Sequence, residues 1–307
     1  MDNVYDIIII GGGPGGLTAA IYASRNRRRT AVIDKALPGG NIALTHLVEN
    51  YPGFPEGIGG FDLGQRLADQ AQKFGAELVL AEAMGVDLGG AIKAVRTSEG
   101  DYRGRCVIIA SGASSQRLGV PGEERLTGRG VSYCATCDGA FFQGQPVAVV
   151  GGGNAALEET LFLTRYADRI TVVHRRDQLR ADAILQERAR AEPKIGFAWD
   201  SVVEEVLGDS EVSAVRLRNV KTGATSELAV AGVFVYVGLL PNTQFLGDAI
   251  ALDSVGQIAV NIRMETALPG VFAAGDLRSQ SPRQAITAAG DGAIAALSAE
   301  RYLSELG

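Results

Sequence analysis

VYDIIIIGGGPGGLTAA, the stretch from Val4 to Ala20, runs an apolar segment straight into six residues of which five are glycine. Val4 to Ile10 suits a strand buried on both faces and Leu17 to Ser24 suits a helix, so the glycines occupy a strand-to-helix turn. Gly11, Gly13 and Gly16 fit the G-x-G-x-x-G pattern of a dinucleotide-binding turn, with Pro14 inside it. The first glycine permits a tight turn, the second lets backbone approach a pyrophosphate, and the third lets helix and strand pack closely. The helix N-terminus beyond them offers N–H groups and partial positive charge to phosphate. A second strand, Thr30 to Ile33, ends at Asp34, an acid about twenty residues downstream and suited to a ribose hydroxyl.

The same arrangement recurs 140 positions later, at Gly151 against Gly11. Pro146 to Val150 reads as a strand and Leu157 to Tyr166 as a helix. Between them Gly151, Gly153 and Ala156 give G-x-G-x-x-A around Asn154. The next strand, Arg169 to Val173, ends differently, at His174, Arg175 and Arg176, with Arg180 just beyond. A carboxylate suits a free ribose 2′-hydroxyl, whereas guanidinium forks suit a 2′-phosphate. The first turn is therefore expected to hold a nucleotide of the FAD or NAD type, and the second NADPH. One such turn in a chain with 40 glycines among 307 residues would mean little, but two in matched settings carry the inference.

Shortly before Gly151 stands a CxxC pair, Cys134 and Cys137, followed at once by Asp138. Such a pair binds metal or cycles between dithiol and disulfide, and a neighbouring nucleotide site favours the second by supplying electrons. Structural zinc needs four ligands, and Cys106, His46 and His174 show no second paired spacing, so no metal site is expected. A dinucleotide-binding redox sensor that uses the cysteines as a switch is the non-enzyme alternative.

A net charge of −6, with 21% charged and 46% hydrophobic residues, describes an ordinary globular chain and argues against a nucleic-acid surface. Arg25, Arg27, Arg28 and Arg29 cluster where the first helix should end, a place that favours cations. Three cysteines do not make a secreted disulfide framework, and MDNVYDIIII lacks the basic flank of a signal peptide. No run of about eighteen apolar residues exists, so no membrane span is expected and the cytoplasm is the expected compartment.

Ala91 to Thr97 and Tyr102 to Ala110 read as further strands of the first domain. Ser201 to Val206, Val212 to Val220 and Thr225 to Val230 read as a meander in the second. Turn-forming composition at Ser114 to Gly119 and Gly238 to Asn242 marks two crossovers. Beyond them come a strand at Gly270 to Ala274, the turn Gly275-Asp276, and a small-residue helix from about Arg283 to Leu303.

Together these residues resemble the low-molecular-weight thioredoxin reductase family over essentially the whole chain. The likeness rests on Gly11 to Gly16, Glu49 to Gly53, Cys134 to Gly139, Gly151 to Asn154, His174 to Arg176, Phe272 to Asp276 and Arg283 to Ala285. It implies an α/β protein of two Rossmann-like FAD/NAD(P)-binding domains, the second inserted into the first. The FAD domain would span 1–115 and 242–307, and the NADPH domain with its redox CxxC would span 116–241. The family forms homodimers and passes electrons from NADPH through FAD and the CxxC disulfide to thioredoxin.

The resemblance also implies roles. Gly11, Gly13, Pro14, Gly16, Asp34, Gly40, Asn41, Asn50, Gly112, Gly275, Asp276, Arg283, Gln284 and Ala285 would meet FAD. Gly151, Gly153, Asn154, Ala156, His174, Arg175, Arg176 and Arg180 would meet NADPH. Cys137 would face the flavin, Cys134 would attack the disulfide of thioredoxin, and Asp138 would carry the proton. Because both nicotinamide and disulfide must reach one flavin, the inserted domain is expected to rotate between half-reactions. Relatives that take electrons from ferredoxin lose the nucleotide-binding motifs, whereas the arginines here favour NADPH. The chain departs from the family at Asn41 (commonly Gln), Ala155 (Ser or Thr) and Ser111 (Thr), which bears on flavin tuning and nicotinamide placement.

Overall fold

The computed structural model describes residues 4–36 and 38–306, so the first three residues of the segment read for targeting lie outside it. The chain divides into two units, Met1–Ser114 with Leu240–Gly307, and Ser115–Leu239. In chain order the first unit begins with β1 (Val4–Ile10), α1 (Pro14–Arg25), β2 (Thr30–Asp34), α2 (Gly60–Lys73), β3 (Glu77–Leu80), β4 (Ala83–Asp87), β5 (Lys93–Thr97) and β6 (Gly100–Ile109), and leaves through β7 (Ala113–Ser115). The second unit holds α3 (Glu123–Leu126), β8 (Val131–Ser132), α4 (Ala135–Asp138), β9 (Pro146–Val150), α5 (Asn154–Leu163), β10 (Arg169–Val173), α6 (Ala183–Ala191) and β11 (Ile195–Ala198). It continues with β12 (Ser201–Leu207), β13 (Ala214–Asn219), β14 (Thr225–Ala229) and β15 (Gly232–Val235). β16 (Leu239–Pro241), which pairs with β7, returns the chain to the first unit, where β17 (Val271–Ala273) and α7 (Ala285–Glu305) follow.

The sheet of the first unit has the order β3-β2-β1-β6-β5-β4, with β17 also on β6. β1 is central and parallel to both neighbours, Ile7 lying opposite Thr30 on one side and Cys106 on the other. Successive side chains of a strand point to opposite faces. Ile7 and Ile9 therefore join Leu17, Ala20 and the α7 alanines in one core, while Ile8 and Ile10 join Val107, Ile109 and Leu246 in another. Both faces being covered, Ile7 to Ile10 are apolar at every position rather than alternating.

α1 and α7 approach so closely that a Cβ on Gly292 would lie 2.0 Å from the Gly15 carbonyl oxygen. The arginine cluster is absorbed locally. Arg25 lies over Phe74, Arg29 over Tyr5, and Arg28 makes a two-pronged pair with Glu300 of α7.

In the second unit the sheet order is β11-β10-β9-β15-β8, all parallel, with the antiparallel meander β12-β13-β14 beside it in sequence. Both glycine turns start their helices earlier than apolar periodicity predicts, α1 at Pro14 rather than Leu17 and α5 at Asn154 rather than Leu157. The first turn of a helix need not bury an apolar residue, and proline is tolerated there because its missing N–H has no intrahelical partner. α2 and α6 come after β2 and β10, beyond the reach of the glycine-turn pattern.

Candidate functional site

The first glycine turn separates into packing positions and an open one. Gly11 has φ 112°, and a Cβ there would meet Ala110 O at 2.2 Å; one on Gly16 would meet Gly11 O at 1.8 Å. At Gly13, the residue before α1, the nearest atom to an added Cβ is 4.0 Å away, so this is where a phosphate can approach backbone. Asp34 at the end of β2 accepts from the Gly12 N–H and, at 2.8 Å, from the Ala36 N–H. These bonds fix the carboxylate beside the turn, and a carboxylate oxygen retains capacity for a ribose hydroxyl.

Gly39 donates to Gly12 O at 2.8 Å, which brings Gly40 and Asn41 to the same turn, and the Asn41 amide donates to Ala113 O at 2.7 Å. Gly112 takes φ 66°, and Asn242 secures the segment around it. The Asn242 N–H reaches Gly112 O, its amide donates to Ser111 O at 2.9 Å, and its Oδ1 accepts from Ser114 at 2.7 Å. Asn50 and Gln284, far apart in sequence, meet through a 3.1 Å amide hydrogen bond. Arg283 has φ 59°, a left-handed conformation uncommon for a side-chain-bearing residue, just before Gln284 and Ala285 open α7.

The Gly275-Asp276 turn is held from below. Asp291 of α7, 5% exposed, accepts from the Gly275 N–H at 3.1 Å and from two nitrogens of Arg278 at 2.6 and 3.0 Å. Asp276 itself has its carboxyl pushed above the usual range, mainly by burial, with Arg283 opposing. Asp291 and Arg278 escape the motif reading. A lone acid in the small-residue run AITAAGDGAIAAL was the available signal.

The second turn repeats the plan with different neighbours. A Cβ on Gly151 would meet Tyr236 O at 2.5 Å, whereas Gly153 faces open space. Gly152 must be glycine because an added Cβ would lie 2.5 Å from the His174 ring. His174 is buried, its Nε2 lies 3.0 Å from Gln178 O, and burial lowers its pKa, so at neutral pH it is an uncharged wall of the turn. Asn154 exchanges two 2.8 Å hydrogen bonds with Asp182 and so fixes the start of α6.

Arg175, Arg176 and Arg180 line one cavity of about 340 Å³. Its wall includes three charged residues absent from the motif reading, Asp177, Asp200 and Lys221, and Lys221 pairs with both acids at 3.0 Å. Lys221 lies in the turn after β13, and only the folded meander brings it to the arginines. Its arginines give the cavity the charge to take an anionic group, and Gly153, open at the start of α5, leaves room for a ligand against backbone.

Cys134 and Cys137 are joined in a disulfide at the start of α4, with Cα atoms 5.3 Å apart. Cys134 precedes the helix and its Sγ accepts from the Cys137 N–H at 3.2 Å. Ser132 donates to Asp138 Oδ2 at 2.6 Å while accepting from the Cys134 N–H at 3.1 Å, which ties the acid to the pair. Phe141, three residues past Asp138, is 78% exposed. Cys106 is a buried free cysteine in the core of the first unit, its thiol pushed up to about 12 mainly by burial. Among the described residues no helix is long and apolar enough to cross a membrane.

The chain matches the family Pyridine nucleotide-disulphide oxidoreductase over residues 5–292. It is 48% identical to thioredoxin reductase of Listeria innocua over 306 residues, covering 99% of this chain and 96% of that protein. Among solved structures it is similar to Lactococcus lactis thioredoxin reductase, with TM-score 0.96, 44% identity, and coverage of 98% and 99% of the two chains. The T. acidophilum thioredoxin reductase gives TM-score 0.94 at 35% identity over the full length of both.

Proposed function

The chain belongs to the pyridine nucleotide-disulphide oxidoreductase family, and from that premise we propose that it is a thioredoxin-disulfide reductase driven by NADPH through FAD. FAD rests on the Gly11–Gly16 turn, with Asp34 at the adenosine ribose and Asp276, Arg283, Gln284 and Ala285 toward the ring system. NADPH rests on the Gly151–Ala156 turn, its 2′-phosphate met by Arg175, Arg176 and Arg180. FAD held there would supply two-electron transfer from the nicotinamide to a disulfide.

The residues divide the remaining work. Cys137 is the sulfur that would face the flavin and receive the two electrons that break the S–S bond, and Cys134, freed as a thiolate, attacks the incoming thioredoxin disulfide. Asp138, held at one oxygen by Ser132, keeps the other for proton exchange with the pair. His174 shapes the nucleotide turn without contributing charge.

The observation that carries this reading is that the disulfide and the arginine-lined cavity belong to one unit, Ser115–Leu239. Donor and disulfide must then take turns at a flavin carried by the other unit, so we assign β7 and β16 as the strands about which the units rotate. A verified crosslink between the units should permit one half-reaction only. The protein is further assigned as a cytoplasmic homodimer, to be checked by fractionation and by sedimentation.

The test is turnover with thioredoxin, offering NADPH, NADH and reduced ferredoxin in parallel. NADPH should be strongly preferred. Equal use of NADH would overturn the arginine assignment, and activity with ferredoxin alone would overturn the donor.

A further inference from the structure

The redox turn is held by more than its own residues. Three of the four backbone N–H groups of α4 have a hydrogen-bond acceptor: Ala135 donates to Tyr236 Oη at 2.9 Å, Cys137 to Cys134 Sγ, and Asp138 to Cys134 O at 3.2 Å. The fourth, on Thr136, lies toward the Glu159 carboxyl and favours its charged form. Glu159 lies on α5, one turn into the helix that follows the second glycine turn, and its Oε2 is buried with no hydrogen-bond partner among the described residues. Thr136 Oγ1, in the middle of the CxxC pair, is buried and unpartnered in the same way. A buried carboxyl with a vacant oxygen and no cation against it is destabilising when ionised, and such groups are retained where their charge state does something.

We propose that Glu159 is a positioning residue of the Cys134–Cys137 turn and exchanges a proton with solvent as that turn changes redox state. This rests on the disulfide-reductase reading. Its carboxyl can accept from the Thr136 N–H in either charge state, because an acceptor oxygen remains when the other is protonated.

Reduction breaks the S–S bond with two electrons originating from NADPH. One sulfur takes a proton, the other stays a thiolate, and the new negative charge draws a second proton onto Glu159 Oε2. Reoxidation by a thioredoxin disulfide removes two electrons and the thiolate charge, and Glu159 releases its proton. Electrons and protons balance, two of each per cycle of the turn.

The surroundings fit such a group. Burial is the main cause, with Glu158 on the same helix adding to it, that places the Glu159 carboxyl at about 7, and only the Thr136 N–H opposes. Tyr236, at the end of β15, has its phenol pushed upward by burial and by the charges of Glu159 and Asp138, so it stays protonated. α6 meets α5 through Leu185 and Ala189 against Leu157, and at its head through Asp182 against Asn154. β9 and β10 face α5 with Val147, Val149 and Ile170. The ionisable groups on these elements are Glu158 on the same helix, Tyr236, Asp138 and the cysteines of the redox turn, with Asp182 farther off at the head of α6.

The experiment equilibrates native holoenzyme and Glu159→Gln with glutathione buffers from about pH 5 to about pH 9 and reads the dithiol fraction by alkylation and mass. It uses neither NADPH nor thioredoxin, so it stands apart from the turnover test above. Below about pH 6 the two proteins should agree, both having a neutral side chain. Above about pH 8 the glutamine variant should be reduced roughly tenfold more readily, one pK unit of lost repulsion between carboxylate and thiolate. Parallel curves across the whole range would overturn the proposal. The native enzyme alone supplies a second reading, in redox-difference infrared spectra near neutrality. A protonated carboxyl band should grow on reduction, and its absence would overturn the proposal even if the variant failed to fold.

Discussion

Replacing Asp291 with alanine should damage the first unit more than any other single change at a residue that touches no substrate. The carboxylate holds two nitrogens of Arg278 at 2.6 and 3.0 Å and the Gly275 N–H at 3.1 Å. The side chains are 14% and 7% exposed, so little water replaces the lost partner. Removing one member of a buried pair costs about 3 to 5 kcal/mol, chiefly because the other charge is left uncompensated. Arg278 keeps a 3.1 Å bond to Ser279 O, which points to the lower part of that range. The expected loss is about 3 to 4 kcal/mol.

Because the same bonds fix the turn carrying Asp276, part of the loss should appear in cofactor retention, tenfold in Kd for every 1.4 kcal/mol or so transmitted. The assay is urea unfolding followed by flavin release, which reports the first unit alone, together with flavin titration of stripped protein. The double variant R278M/D291L should recover much of the stability, since replacing a buried pair by apolar side chains is often near neutral. A D291A loss below about 1 kcal/mol, or a double variant no better than D291A, would refute the account.

Gly152→Ala would place a Cβ 2.5 Å from the His174 ring, so NADPH should bind far more weakly while flavin content is unchanged; equilibrium titration of both ligands checks this. Arg176→Ala should raise KM for NADPH roughly tenfold to a hundredfold and leave the weaker use of NADH unaffected, as a lost charge-assisted contact of about 1.5 to 3 kcal/mol requires. Phe141→Ala, at a side chain 78% exposed and four residues past Cys137, should raise KM for thioredoxin but not the rate with a small aromatic disulfide. Glu159 holds its proton in the folded state up to about 7, above its unfolded value, so its contribution to stability is full below the unfolded pKa and is lost as pH rises through about 7. Unfolding profiles of the native protein and Glu159→Gln should therefore differ most in slope between about pH 5 and about pH 7.

What was legible in the sequence was whatever the backbone dictates locally. Glycine turns, an apolar β1, the arginines at the end of β10 and the CxxC spacing all announce themselves within a few residues. Helix starts were misplaced by three residues at both turns because the first helical turn follows backbone needs rather than apolar period. Lys221, Asp291 and Glu159 were illegible for another reason. Each acts through partners on other elements, and nothing in its immediate sequence distinguishes it from a solvated charge. His174 shows the same limit in reverse: its position at the strand end suggests a residue of the nucleotide site, while only the fold shows its ring buried against Gly152.

The contact between Gly15 and Gly292 also sets an order of events during synthesis. α1 and the turn before it emerge from the ribosome early, but the helix that seats against them is made only after the whole of the inserted unit. The second unit is continuous in sequence and can complete its core while still tethered, whereas the first must wait with an apolar sheet uncovered. A chain stalled before α7 would thus carry a finished nucleotide turn and an unfinished one, and that interval is when chaperone protection of β1 and β6 matters most.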